Sequence, residues 1–254
     1  MFIDCHNHLQ DPRFDNNRDE LIPTILEAGV ARCIVNGTTE SDWPAVTSLA
    51  ESHPDLVIPS YGLHPWYLKS RSKDWLTTLK TLLEANSSAG IGECGLDRWM
   101  KNFDINDQIS VFRSHLTLGA QLNRPVTIHC LKAWGPLLDT LRESQTLPDR
   151  FLLHSFSGSL ESSNELLKLG AYFSFSGYFL HSRKENVQNI FQQLPGNRVL
   201  IETDAPDMLP PDPHYPLEDL NHPANLPDIT KRAAKVLNLP PEQFALNAKT
   251  FFNL

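Results

Sequence analysis

Six side chains of metal-binding type stand at wide intervals along the chain: His6, His8, Glu93, His129, His154 and Asp204. Four imidazoles and two carboxylates are enough for two divalent ions, because a carboxylate such as Glu93 can bridge the pair around a shared hydroxide. The mixed nitrogen and oxygen set suits Zn, Mn, Co or Ni, and Mg stays a candidate although it favours oxygen ligands. A water activated in this way attacks phosphoryl and carbonyl centres alike, so the chemistry indicated is hydrolysis. Any one of these histidines reads more simply as a hydrogen-bonded wall residue; the signal is the combination. Asp4 and Glu202 share strand parity with His6 and Asp204. They are candidates for orienting ligand histidines or, equally, for a satisfied polar layer.

Short β-rich runs alternate with helical stretches from end to end. The expected strands are residues 2–5, 32–36, 57–61, 90–93, 125–129, 150–154, 171–174 and 198–202. Between them apolar residues recur at helical spacing, as in Leu76, Leu79, Leu82 and Leu83, and Gly29, Gly119 and Gly170 stand where helices should close. Eight such units in about 250 residues predict an α/β fold, a single (β/α)8 TIM barrel occupying residues 1–254. A doubly wound sheet competes less well, since no G-x-G-x-x-G follows the first strand. In a barrel the C-terminal strand ends meet at one mouth, and the six residues, with His64, fall at those ends. Cys5, Cys94 and Cys130 sit next to proposed ligands and so face the other way, as packing residues. Seven prolines between Ala205 and Pro227 predict a stiff, structured loop ahead of two closing helices.

With 22 basic against 30 acidic side chains, the net charge of −8 argues against coating nucleic acid through bulk charge. No apolar run is long enough to span a bilayer, and the N-terminus lacks the pattern of a secretory leader. Four scattered cysteines without a C-x-x-C pair fit a cytoplasmic, reducing setting. Nothing bears on oligomeric state, and a monomer is the default.

The segments F-I-D-C-H-N-H, G-L-H-P-W, G-I-G-E-C-G-L-D, P-V-T-I-H, H-S-F-S-G-S and I-E-T-D-A-P follow one another from residue 2 to residue 206. In order and spacing the chain resembles the TatD family of metal-dependent deoxyribonucleases, within the wider amidohydrolase-like barrels. The resemblance implies hydrolysis of DNA phosphodiester bonds and places the metals on His6, His8, Glu93, His129, His154 and Asp204. It sets His64 beside the substrate phosphate. Two departures stand out: Cys5 replaces the usual Ser or Thr, and Cys130-Leu131-Lys132 replaces a segment that commonly begins Ser-Arg. Lys132 then supplies a point charge where the family has a planar fork.

The catalytic assignments are Asp204 as proton acceptor, Glu93 as bridge and His64 at the phosphate. Arg98, Lys132, Ser155 and Ser157 are candidates for substrate contacts. Trp66, Trp99 and Trp134 fall in loops after strands three, four and five, where bases stack well on aromatic faces. Packing the loops down is the simpler role for them, as for Tyr67, Tyr178 and Phe179. The basic residues are scattered, so a short or single-stranded DNA end, or a small phosphorylated molecule, suits the surface better than a wrapped duplex. Two other functions compete: an amide, ester or lactone hydrolase on the same metals, and a catalytically silent barrel that binds a partner.

Overall fold

The computed structural model describes residues 1–254. Eight strands form one sheet in sequence order: β1 (Phe2–Asn7), β2 (Val30–Asn36), β3 (Val57–Tyr61), β4 (Gly90–Asp97), β5 (Val126–Leu131), β6 (Phe151–Leu153), β7 (Tyr172–Ser176) and β8 (Val199–Glu202). A helix follows each one: α1 (Arg18–Glu27), α2 (Trp43–Ser52), α3 (Trp75–Ala85), α4 (Ile105–Leu122), α5 (Trp134–Glu143), α6 (Leu160–Lys168), α7 (Glu185–Phe191) and α8 (Leu226–Leu237), with α9 (Pro241–Phe252) added at the end. Strict alternation in this order is the expected (β/α)8 barrel. Two compact units can be distinguished: Met1–Val35 with Leu49–Ile58 and Phe173–Leu254, and Asn36–Ser48 with Pro59–Tyr172.

The strands are buried along nearly their whole length, on both faces, as expected for a parallel sheet covered by helices. Local chemistry starts and stops the helices. Asp104 caps α4 by accepting from the backbone N–H groups of Asn106 and Asp107 at 3.0 and 3.1 Å, and Ser159 caps α6 through Ser162 N–H. Gly29 and Gly170 take the left-handed conformation just beyond α1 and α6, as expected.

Gly119 does not. Helix α4 runs on to Leu122, and Asn123 at φ 51° closes it. Gly119 is needed for space instead, since a Cβ there would stand 2.6 Å from Val126 Cγ2. The fourth strand also differs from expectation, continuing four residues past Glu93 to Asp97. Gly95 permits this: at φ 142° it lies so close to β5 that a side chain would collide with the His129 carbonyl.

The proline-rich segment is ordered by its asparagines. Asn225 exchanges hydrogen bonds with the Tyr215 backbone at 2.7 and 3.1 Å, and Asn221 donates to the Thr203 carbonyl at 2.8 Å.

Candidate metal centre

In the unit that contains both termini, β1 carries His6, and His8 follows one residue past its end. The Nε2 atoms of the two rings stand 3.2 Å apart, and Asp204 Oδ1 lies 3.5 and 3.6 Å from them. Asp204 comes two residues after β8, with left-handed backbone at φ 55°. Two hydrogen bonds stitch this turn to β1, Asp204 N–H to the His6 carbonyl at 2.9 Å and His8 N–H to the Ala205 carbonyl at 2.8 Å. Asp4 reinforces the seam, accepting from Thr203 N–H at 2.9 Å, Thr203 Oγ1 at 2.5 Å and Asn7 Nδ2 at 3.0 Å. It therefore braces the backbone and accepts no bond from a ligand imidazole among these contacts. Burial pushes its pKa up to about 7. Glu202 accepts from Ser174 Oγ.

In the other unit, three imidazoles meet one carboxylate oxygen. Glu93 Oε1 is 2.7 Å from His154 Nε2, 2.9 Å from His129 Nδ1 and 3.4 Å from His64 Nε2. Nδ1 of His129 and Nε2 of His154 are 3.3 Å apart. His129 lies within β5, His154 just past β6, and His64 in the loop after β3. Burial alone would raise the Glu93 pKa, but the facing imidazoles outweigh it and hold the carboxylate well below its usual range.

The hydrogen bonds of the second ring nitrogen tell these histidines apart. Nε2 of His129 is 2.9 Å from Asp97 Oδ2 and Nδ1 is 2.9 Å from Glu93 Oε1. A carboxylate can only accept, so both ring nitrogens are placed to donate, and although burial would lower the His129 pKa, the two carboxylates raise it. His64 differs. Trp66 N–H donates to its Nδ1 at 3.2 Å, which leaves the proton on Nε2. Burial lowers the His64 pKa to about 4, so near neutral pH it is an uncharged ring with a donor toward Glu93. His129 is thus fixed between two carboxylates, where a cation can take the place of the Nδ1 proton, and His64 is set as a hydrogen-bond donor.

Both groups fit a divalent cation. Ligands 2.0–2.2 Å from one ion, at angles of 90–109°, lie about 2.8–3.6 Å from one another. The spacings are 3.2–3.6 Å among His6, His8 and Asp204, and 2.7–3.3 Å among Glu93, His129 and His154. Imidazole nitrogens facing at such distances share either a proton, as a hydrogen bond, or a cation.

Asp97 was not among the expected site residues. It is completely buried and also accepts from Trp66 Nε1 at 2.8 Å and Trp99 N–H at 2.6 Å. Burial would raise its pKa, but these donors win and bring it to about 2. Its signal was parity with Glu93, four residues earlier on the same strand face, and ending the strand at Glu93 hid it.

The candidate substrate residues are all on the loops that follow the strands. Arg98 is exposed with its guanidinium 5.7 Å from the Phe103 ring centre. Lys132 and Ser157 are exposed and Ser155 is half-buried; Lys132 and Ser155 both have positive φ. The four cysteines are free and buried, as parity suggested for Cys5, Cys94 and Cys130. Trp134 packs on Phe156 at 5.0 Å, and Phe179 is buried against Phe175 and Phe191.

A family profile described as TatD related DNase matches residues 3–253. The 3'-5' ssDNA/RNA exonuclease TatD of Erwinia tasmaniensis is 32% identical over 99% of this chain and all of that protein. The metal-dependent hydrolase YabD of Bacillus subtilis is 27% identical over the full length of both. Among solved structures, the TatD homologue YjjV of Escherichia coli superposes with a TM-score of 0.90 at 26% identity, covering 100% of this chain and 98% of that one.

Proposed function

The chain belongs to the TatD-related DNase family and is a hydrolase of phosphodiester bonds; from this premise we propose that it removes nucleotides from short or single-stranded DNA ends with two divalent ions. The proposed ligands are His6, His8 and Asp204 in one unit and Glu93, His129 and His154 in the other, with residues 1–254 read as one hydrolase domain. The observation that carries the reading is the meeting of His129 Nδ1 and His154 Nε2 on Glu93 Oε1, with His129 held at its other nitrogen by Asp97. The exonuclease name of the Erwinia relative supports the choice of nucleic acid.

When bound, the ions place positive charge against the phosphoryl oxygens and lower the pKa of a coordinated water from 15.7 to about 7. The chain's own groups do the rest. Asp204 takes the proton of the attacking water, which its position beside His6 and His8 allows. Neutral His64 offers its Nε2–H to a phosphate oxygen, stabilising charge as it develops. Glu93 holds the two imidazoles in place through one oxygen. Lys132, Arg98, Ser155 and Ser157 are the remaining substrate contacts, and Mn, Zn, Co, Ni and Mg the ions to compare.

No helix is long and apolar enough to cross a membrane. The four free thiols support a cytoplasmic setting.

The test is cleavage of an end-labelled single-stranded oligonucleotide by metal-stripped protein, with each ion returned in turn. Restored cleavage that vanishes in Asp204→Asn is the expected result. Full metal uptake with no cleavage under any ion would overturn the assignment.

A further inference from the structure

Five tryptophans occur in the chain, and their surroundings differ sharply. Trp43 and Trp75 are buried, and Trp134 is half-buried under Phe156. Trp66 and Trp99 are instead 41% and 58% exposed, although they touch each other with ring centres 6.2 Å apart at 32°. A large apolar ring left open on a loop is ordinarily free to fold down. These two are held by polar bonds. Asp97 Oδ2 accepts from Trp66 Nε1 at 2.8 Å, and Asp97 Oδ1 accepts from the Trp99 backbone at 2.6 Å. The Trp66 ring is also edge-on to His64 at 5.2 Å. So one buried carboxylate fixes an exposed aromatic surface and, through His129 Nε2 at 2.9 Å, a metal ligand.

We propose that Trp66 and Trp99 form a stacking subsite for one unpaired nucleobase, held in register with the metal ligand His129 by Asp97. The inference rests on the phosphodiesterase reading and names the part of the substrate that is recognised. A chain of net charge −8 with scattered basic residues has little electrostatic grip on phosphates, and stacking on an aromatic face is a grip that does not need it. Every base has such a face, so the subsite tolerates any sequence. A base inside a duplex has both faces covered by its neighbours, so paired DNA is excluded until its end frays. Asp97 acts as a positioning residue: its oxygen shared between Trp66 and His129 links the place where the base rests to the direction of the ligand.

The experiment compares a short single-stranded oligonucleotide with the same strand carrying a stable abasic tetrahydrofuran residue at each end in turn. Wild type should prefer the base-bearing end by about 5- to 100-fold in kcat/KM, carried mostly by KM. That preference should fall to within about twofold in Trp99→Ala and Trp66→Ala, and persist in Trp66→Phe, which keeps a stacking face. Circular dichroism establishes that each variant is folded. Equal cleavage of both strands by wild type would overturn the subsite while leaving the hydrolase reading intact. Cleavage of neither would overturn both. A loss in the alanine variants that is equal on the two strands would also reject the subsite.

Discussion

The two groups of candidate ligands are held in place by different means. His6, His8 and Asp204 are set by backbone: a left-handed turn at Asp204 is stitched to β1, and Asp4 clasps Thr203 and Asn7 beneath it. Their side-chain atoms stand 3.2–3.6 Å apart, without a short bond among those three contacts. Glu93, His129 and His154 are set by side chains, with contacts of 2.7 and 2.9 Å at Glu93 and a buried carboxylate behind His129. A group fixed by side-chain bonds keeps its tautomers and directions before any ion arrives. One fixed by backbone keeps its positions and leaves the carboxylate free to handle a proton. This division suits Glu93 to binding and Asp204 to proton transfer.

Removing the hub of the rigid group should have the largest effect. Glu93→Ala deprives three imidazoles of their common acceptor, and both metal content by mass spectrometry and turnover should fall to background. Retention of full metal occupancy would break the comparison. Asp204→Asn comes next, lowering turnover about 100- to 10,000-fold while metal content and thermal stability change little. Asp97→Asn should be milder. The amide keeps an acceptor oxygen for His129 but loses its charge, and an outer carboxylate of this kind is worth about 10- to 100-fold in metal affinity. A titration with Mn or Co, read by loss of free ion, measures it; an unchanged affinity would reduce Asp97 to a packing role.

The smallest effect is a difference in pH dependence, measured on metal-free protein by chemical denaturation. Asp4 has a folded pKa raised to about 7, so its native state keeps a proton that the unfolded chain loses. Its contribution is present at low pH and is lost as pH rises from about 4 through 7, a change of a few kcal/mol. Asp97 is the opposite case, lowered to about 2; its contribution is present above about 4 and is lost as pH falls through 2. Asp4→Asn should flatten the slope between pH 4 and 7, whereas Asp97→Asn should flatten the acid limb only. The same slope in both variants would mean that the two carboxylates do not differ as described.

Much of this was legible in the sequence because barrel strands are short apolar runs and the candidate ligands stand at or near their ends. His6, His8, His64, His129 and His154 could be placed from that rule alone, and the eight-strand order followed from counting. What the sequence concealed was backbone behaviour. Gly95 lets β4 continue beyond Glu93, and only with that extension does Asp97 become a buried neighbour of His129. Gly119 looked like a helix terminator because the close approach of Val126 is a tertiary fact. Trp66 and Trp134 were indistinguishable as loop tryptophans, since whether a ring packs or stays exposed depends on Phe156 in one case and Asp97 in the other. Asp4 matched the parity of a ligand-orienting residue, yet Thr203 captured it first.

Both groups of residues are proposed to serve a two-ion phosphodiesterase. The most direct test is to titrate metal-stripped protein with Mn or Co and follow bound ion and oligonucleotide cleavage together, in wild type and in the paired variants His6→Ala/His8→Ala and His129→Ala/His154→Ala. Cleavage should require two bound equivalents, and each paired variant should bind fewer and lose activity. Full cleavage at one equivalent, or in either paired variant, would contradict the proposal.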